Sequence, residues 1–147
     1  KKAKKARGED GKPAVSQKKK IKLRLQWLNR QIAALGNRKE LTKAVKCFDQ
    51  IASEGLTPSE YSYTSIINAH VRCGEVKKAR EYLDRLKKAG MAPNVVTYTA
   101  LLKGYTQVGD LEAASALVAE MEGERVLPNL RTVNTLLRGC VRCGDIA

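Results

Sequence analysis

Four cysteines and one histidine are the side chains here best suited to metal, redox or nucleophilic chemistry. Cys140-Val141-Arg142-Cys143 has the C-x-x-C spacing of a zinc or redox site. A structural zinc site needs further ligands at matching spacing, and no second such pair exists. Cys73 and Cys143 share one position of the pattern described below, and Cys47 and Cys140 fall at apolar helical positions. That usage is typical of a reducing compartment rather than of a disulfide framework. His70 has no serine, cysteine or carboxylate placed as a nucleophile–base partner. Glu75, Asp84, Asp110 and Glu112 fall at turns or outward positions, as solvated or first-turn charges do. No catalytic residue, metal or cofactor is therefore expected, and the segment reads as a binding module rather than an enzyme.

Charge points to a different kind of chemistry. The chain has 147 residues and a net charge of +13. Lys1–Arg24 holds eleven Lys and Arg against Glu9 and Asp10, and the remainder is only mildly basic. A tail of this kind binds polyanions by counterion release, or simply keeps the chain soluble. Through Gln17 it is poor in aromatic and branched residues, which predicts disorder. No apolar run reaches the roughly 18 to 20 residues that cross a bilayer. No secretory signal is visible either, so neither a membrane nor a small-molecule substrate is an expected partner.

The elements that would position a binding surface repeat every 35 residues. Glu60–Asn94 (EYSYTSIINAHVRCGEVKKAREYLDRLKKAGMAPN) lies over Val95–Asn129 (VVTYTALLKGYTQVGDLEAASALVAEMEGERVLPN) without a gap. Tyr63 meets Tyr98, Thr64 meets Thr99, Gly74 meets Gly109, and Pro93-Asn94 meets Pro128-Asn129. Within the first unit, Tyr63, Ile66, Ile67 and Val71 make one helical face, and Val76, Ala79, Tyr82, Leu83 and Leu86 make another. Gly74 between them suits a left-handed C-cap, and Pro93 prevents the second helix from continuing. The small Ala79 and Ala114 let the two helices of a hairpin approach closely. Each unit is thus a helix–turn–helix, and the array an all-α solenoid in which units bury apolar faces only against neighbours.

Leu25–Ser59 is a weaker copy of the unit, with Lys39 in place of the glycine. Leu130–Ala147 copies the first half of a unit and stops. Residues 1–24 form the basic tail, leading into a helix over Lys18–Leu35 whose buried stripe is Leu25, Leu28, Ile32 and Leu35. Trp27 beside that stripe is expected to pack in the core or a cap. Arrays of this type need polar capping units, so the segment is expected to belong to a longer protein.

Val95-Val96-Thr97-Tyr98-Thr99 and Val126-Leu127-Pro128-Asn129, in a 35-residue unit, resemble the pentatricopeptide repeat. The likeness is strong from Glu60 onward and weak over Leu25–Ser59. The tetratricopeptide repeat is one residue shorter, and its tryptophan and glycine signature is missing from both good units. The resemblance implies a right-handed α-α superhelix that binds single-stranded RNA, one base per repeat. In that family the fifth and last residues of a unit face the base edge. Those pairs are Thr64 with Asn94 and Thr99 with Asn129, which the resemblance assigns to adenines. An Asn amide and a Thr hydroxyl have the donors and acceptors for such reading. In the divergent unit the pair is Asn29 with Ser59, by resemblance a cytosine reader, and Asn134 in the last unit leans toward a pyrimidine.

The second residue of each unit, Gln26, Tyr61, Val96 and Arg131, is expected to sandwich the bases. Tyr61 and Arg131 depart from the family's usual branched aliphatic residue. The family also implies organellar RNA processing, splicing, stabilisation or translation, in the chloroplast or alternatively the mitochondrion. Other proteins of an organellar ribonucleoprotein complex are further expected partners. The competing expectation is a structural or protein-interaction solenoid in an organellar ribosome or RNA polymerase complex.

Overall fold

Apolar residues three and four apart make seven amphipathic helices over residues 13–144, which the computed structural model describes. These are α1 (Pro13–Asn37), α2 (Leu41–Ser53), α3 (Glu60–Arg72), α4 (Val76–Lys88), α5 (Val95–Val108), α6 (Leu111–Gly123) and α7 (Leu130–Cys143). No strand occurs among the described residues. The first helices α1, α3, α5 and α7 pack side by side in one layer. Each second helix, α2, α4 or α6, packs on the first helix of its own unit and on that of the next. The result is the all-α solenoid.

Two features differ from the sequence reading. Helix α1 begins at Pro13, so Pro13–Gln17 is helical where disorder was expected. Proline is well placed at a helix start, because its missing N–H would have had no intrahelical acceptor there. Residues 1–12, the rest of the basic tail, lie outside the described residues. Trp27, expected in the core or a cap, is half-exposed, and the Arg24 guanidinium lies 4.8 Å from its ring centroid. Arg24 also forks onto Glu54 at 2.7 and 2.9 Å, which holds that carboxyl down to about 2.

The core runs along the seam between the layers. Leu28, Ile32, Ile51, Ile66, Ile67, Leu83, Leu86, Leu101 and Leu102 are essentially inaccessible. Ala44, Ala79 and Ala114, one per unit, are fully buried where the paired helices meet. The first helices come equally close to one another. A methyl group added to Gly36 would sit 2.9 Å from Ala69 Cβ, and one on Gly139 would sit 2.5 Å from Thr106 Cγ2. The second helices do not approach at backbone level, and side chains bridge them instead. Arg80 forks onto Glu120 at 2.7 and 2.8 Å, and Lys87 reaches Glu124 at 2.5 Å. The Arg80 hydrogen bonds hold the Glu120 carboxyl below the usual carboxylate range.

Turn geometry repeats with the units. Gly74, Gly109 and Gly144 end the first helices with left-handed backbone, and Gly55 and Gly90 do the same after the second helices. The chain then returns an N–H five residues back, as from Glu75 to the His70 carbonyl at 2.8 Å. Two non-glycine residues occupy these same turns: Lys39 at φ 62° and Arg125 at φ 61°. A Cβ in that region is strained.

His70, at the α3–α4 contact, is 2 % exposed. Its Nδ1 lies 2.8 Å from the Ile66 carbonyl, and its ring lies against Tyr82 at 4.9 Å. Burial lowers its pKa from the ordinary 6.5. The neutral ring is therefore favoured by folding, while the unfolded chain takes up a proton more readily.

Two outcomes follow from this geometry. Lys39→Gly and Arg125→Gly should each stabilise the fold by roughly 0.5–1 kcal/mol, the left-handed strain relieved less the added chain entropy, as read from denaturant unfolding. Stability contributed by His70 should be complete above about pH 6.5 and decline as pH falls from there toward its lower folded-state value. His70→Tyr, which places the Tyr105 side chain at the equivalent position, should remove that part of the acid slope in unfolding curves taken at several pH values.

Candidate nucleic-acid interface

A helix starts with unpaired backbone N–H groups, and these must find an acceptor. At each joint between units the last residue of one unit provides it. Asn94 Oδ1 accepts from the Thr97 backbone N–H at 3.0 Å at the start of α5, and Asn129 Oδ1 accepts from that of Thr132 at 3.0 Å at the start of α7. Ser59 caps α3 reciprocally with Ser62. The residues expected to read bases are thus also N-caps, and the cap fixes where their side chains point.

The fifth residues are tied into the same joints. Thr64 Oγ1 lies 3.0 Å from Thr97 Oγ1, which donates to Asn94 Oδ1 at 3.1 Å. Thr99 Oγ1 lies 3.0 Å from Thr132 Oγ1, which donates to Asn129 Oδ1 at 3.0 Å. At the first joint Ser62 Oγ donates to Asn29 Oδ1 at 2.6 Å and sits 3.2 Å from Ser59 Oγ. Fifth and last residues of a unit are therefore brought together at all three joints, through the third residue of the following unit. Thr64 and Thr99 are 9 % and 8 % exposed, so they are floor rather than open surface. Asn94 and Asn129 are exposed at the edge.

Two cavities open above these joints. One, of about 640 Å³, is lined by Thr64 and Asn94 together with Tyr61 and Val96. The other, of about 980 Å³, is lined by Thr99 and Asn129 with Val96 and Arg131. Tyr61 and Val96 are 60 % and 59 % exposed, large apolar side chains with no protein partner over them. Asn134 lies in the second cavity, exposed at its far side. Asn29 is 5 % exposed, almost closed off, and Gln26 is exposed on α1.

Charge divides between the two layers. Arg72 lines the first cavity, and Lys103, Arg131, Arg138 and Arg142 line the second. Among the described residues none of these five forms an ion pair. Asp84 of α4 and Glu120 of α6 are instead paired on the second-helix side, with Arg80 and Lys87. Glu60 is the one acidic side chain lining either cavity, and its Oε1 is buried without a hydrogen-bond partner. The face of first helices therefore offers shaped slots about a repeat apart, hydrogen-bonding groups at their floor and unneutralised cations around them. The third residues and, apart from Arg131, these cations were not singled out from sequence. The recurrence of Thr97 and Thr132 one period apart was the available signal.

The candidate C-x-x-C pair is not informative here. Cys140 is half-buried in the helix layer, and the side chain of Cys143 lies outside the described residues.

The described helices and joints are those of a stacked α-hairpin repeat protein. The family model described as the pentacotripeptide-repeat region of PRORP matches residues 15–147, and the chain belongs to the pentatricopeptide repeat family. The solved structure of the pentatricopeptide repeat protein PPR10 in complex with an 18-nt psaJ RNA element is similar, with a TM-score of 0.75 and 26% identity over 80% of this chain. A structure of PPR10 from maize gives a TM-score of 0.71 at 26% identity, again over 80% of this chain and 17% of its own. The PPR domain of Arabidopsis thaliana protein-only RNase P 1, in complex with tRNA, shares the fold, with a TM-score of 0.64 and 17% identity over 90% of this chain and 83% of that domain. The chain spans about 18% of the length of the RNA-bound PPR10. No curated protein is significantly similar to it in sequence.

Capping gives a prediction independent of any ligand. Asn94→Ala and Asn129→Ala should each cost about 1 kcal/mol of stability, whereas Asn94→Asp should be near neutral because Asp caps equally well. Chemical denaturation of the three variants against the parent checks it.

Proposed function

We propose that the chain binds single-stranded RNA along its layer of first helices, with one base seated in each joint. The observation that carries this reading is the composition of the two cavities. Each combines a Thr at its floor and an Asn at its edge with exposed side chains on either side, Tyr61 and Val96 in one, Val96 and Arg131 in the other. An aromatic ring, an isopropyl group or a guanidinium plane can lie on either face of a base without regard to its identity. The floor groups meet the base edge and can discriminate by hydrogen-bond pattern. Arg72, Lys103, Arg138 and Arg142 lie where a phosphate backbone would follow the bases.

On this reading Thr64 with Asn94 and Thr99 with Asn129 each take an adenine, so two successive adenines are preferred. Asn29 with Ser59 takes a cytosine, and Asn134 forms half of a pyrimidine site. The 18-nt RNA element bound by PPR10, of similar fold, supports the substrate class. An organellar role, in the plastid or the mitochondrion, is part of the proposal through the family resemblance alone.

Binding of short RNA single strands that differ at two adjacent positions tests this, followed by fluorescence anisotropy. AA should bind better than GG. Thr99→Asn with Asn129→Asp should move one position toward uracil; an unchanged preference would falsify the pairing. Lys103→Gln with Arg138→Gln should weaken all strands alike and reduce the slope of log affinity on log salt by about 1.4, at roughly 0.7 per single-strand phosphate contact. If deleting residues 1–12 abolished binding and the double variant changed nothing, the basic tail would be the real contact.

A further inference from the structure

Thr97 and Thr132 are completely buried, so neither touches a ligand in the cavities. Each nevertheless sits between the two groups that do. We propose that the third residue of a unit positions the reading pair of the unit before it, and makes that pair select amino bases over keto bases. This rests on the RNA reading above and adds a residue and a rule to it.

The argument is a count of hydrogens. Asn94 Oδ1 accepts from both the backbone N–H and the hydroxyl of Thr97, at 3.0 and 3.1 Å. The backbone N–H is an obligate donor, so the amide cannot be turned around without leaving two nitrogens facing each other. Both lone pairs of Oδ1 are then occupied, and Asn94 has only its Nδ2 hydrogens left to offer. The Thr97 hydroxyl has given its single hydrogen to Asn94, so toward Thr64 it can only accept. The hydrogen of Thr64 is directed at Thr97 Oγ1 or at the Glu60 carbonyl, each at 3.0 Å. Thr64 thus presents a lone pair to the cavity. The Thr99–Thr132–Asn129 joint repeats the contacts among the two hydroxyls and the amide. There Thr132 Oγ1 also accepts from the Asn129 backbone N–H at 3.4 Å, which further favours the same direction.

Each pair therefore shows a ligand one N–H donor and one oxygen acceptor in fixed places. Adenine and cytosine carry an exocyclic amine beside an unprotonated ring nitrogen, which matches that pattern. Guanine and uracil carry a carbonyl beside a ring N–H, the reverse. The relay excludes the second class, leaving ring size and stacking to separate adenine from cytosine. Ser62 acts likewise at the first joint: its donation to Asn29 Oδ1 at 2.6 Å directs the amide hydrogens of Asn29 elsewhere.

Removing the hydroxyl while keeping the shape tests the relay. In Thr97→Val, Asn94 still caps α5 through the backbone N–H, but one lone pair of Oδ1 is released and the hydrogen of Thr64 keeps only the Glu60 carbonyl as partner. The full chain and its variants are titrated with four RNA single strands differing only in a central AA, GA, AG or GG. Thr97→Val should lower the preference for A over G roughly three- to tenfold, the worth of one net hydrogen bond, at one of the two positions only. Thr132→Val should do so at the other, and Thr97→Ser should restore the parental ratio. Full preference at both positions in Thr97→Val overturns the relay, as does an equal loss at both, which is what general loosening of the joint would cause. Should circular dichroism show Thr97→Val unfolded, Thr132→Val decides in the same way. A parent chain with no preference at either position overturns the RNA reading itself, and the relay with it.

Discussion

The first helices α3, α5 and α7 each begin where the preceding residue gives up a side-chain oxygen to the helix's own N–H groups. Ser59, Asn94 and Asn129 do this at the three joints. An uncapped start would leave polar groups unsatisfied beside a buried layer, at a cost of about 1 kcal/mol or more per joint. The cap also fixes the geometry of the candidate interface. It holds the amide within reach of the third residue of the next unit, which in turn holds the fifth residue of the last. Folding and recognition share these atoms, so the slots are built before any ligand arrives.

Close packing of the first helices sets the spacing of those slots. Gly36 against Ala69 and Gly139 against Thr106 leave no room for a methyl group. The second helices stand farther apart, joined by long side chains: Phe48 meets Tyr82 edge to face between α2 and α4, and Arg80 and Lys87 reach Glu120 and Glu124 from α4. Around the joints the cations Arg72, Lys103, Arg131, Arg138 and Arg142 are in no ion pair among the described residues, whereas Arg80 and Lys87 of α4 are held by carboxylates. The unpaired cations beside the slots give that face a positive field of the kind that attracts a polyanion. The +13 of the whole chain could not have located that face.

The helical order was legible because the period repeats apolar positions and turn glycines together. Residues such as Ile66, Leu83, Leu101 and Met121 were buried as their spacing required. Thr64, Asn94, Thr99 and Asn129 could be phased from the same period. What could not be read was how they are wired. Hydrogen bonds that join Thr64 to Thr97 span 33 residues, and spacing alone does not say which hydroxyl donates. Trp27 was misjudged because an aromatic residue beside an apolar stripe can as readily lie under a cation as enter the core. Pro13–Gln17 looked too polar for structure, yet α1 extends into it as a continuation of a helix already packed further along. Arg125 hid one of the turns, since it occupies left-handed backbone where glycine would have signalled it, whereas the period alone placed Lys39 at its turn.

The double duty of the last residue limits what an array of this kind can recognise. That position must supply a side-chain oxygen to the next helix, so it draws on Ser, Asn, Asp and Thr whatever the ligand. Once the oxygen is committed to the cap, an Asn there can only donate onward, whereas an Asp caps equally well and has no hydrogen to give. The fifth residue, which has no backbone N–H to cap, is free to vary more widely. The first joint illustrates the exchange. Asn29 at the fifth position faces Ser59 at the last, so the amide and hydroxyl change places relative to the other joints. Ser62 now directs its hydrogen toward the fifth residue instead of the last. The same backbone frame can therefore present different donor and acceptor patterns from one unit to the next, by choosing which neighbour the buried hydroxyl serves.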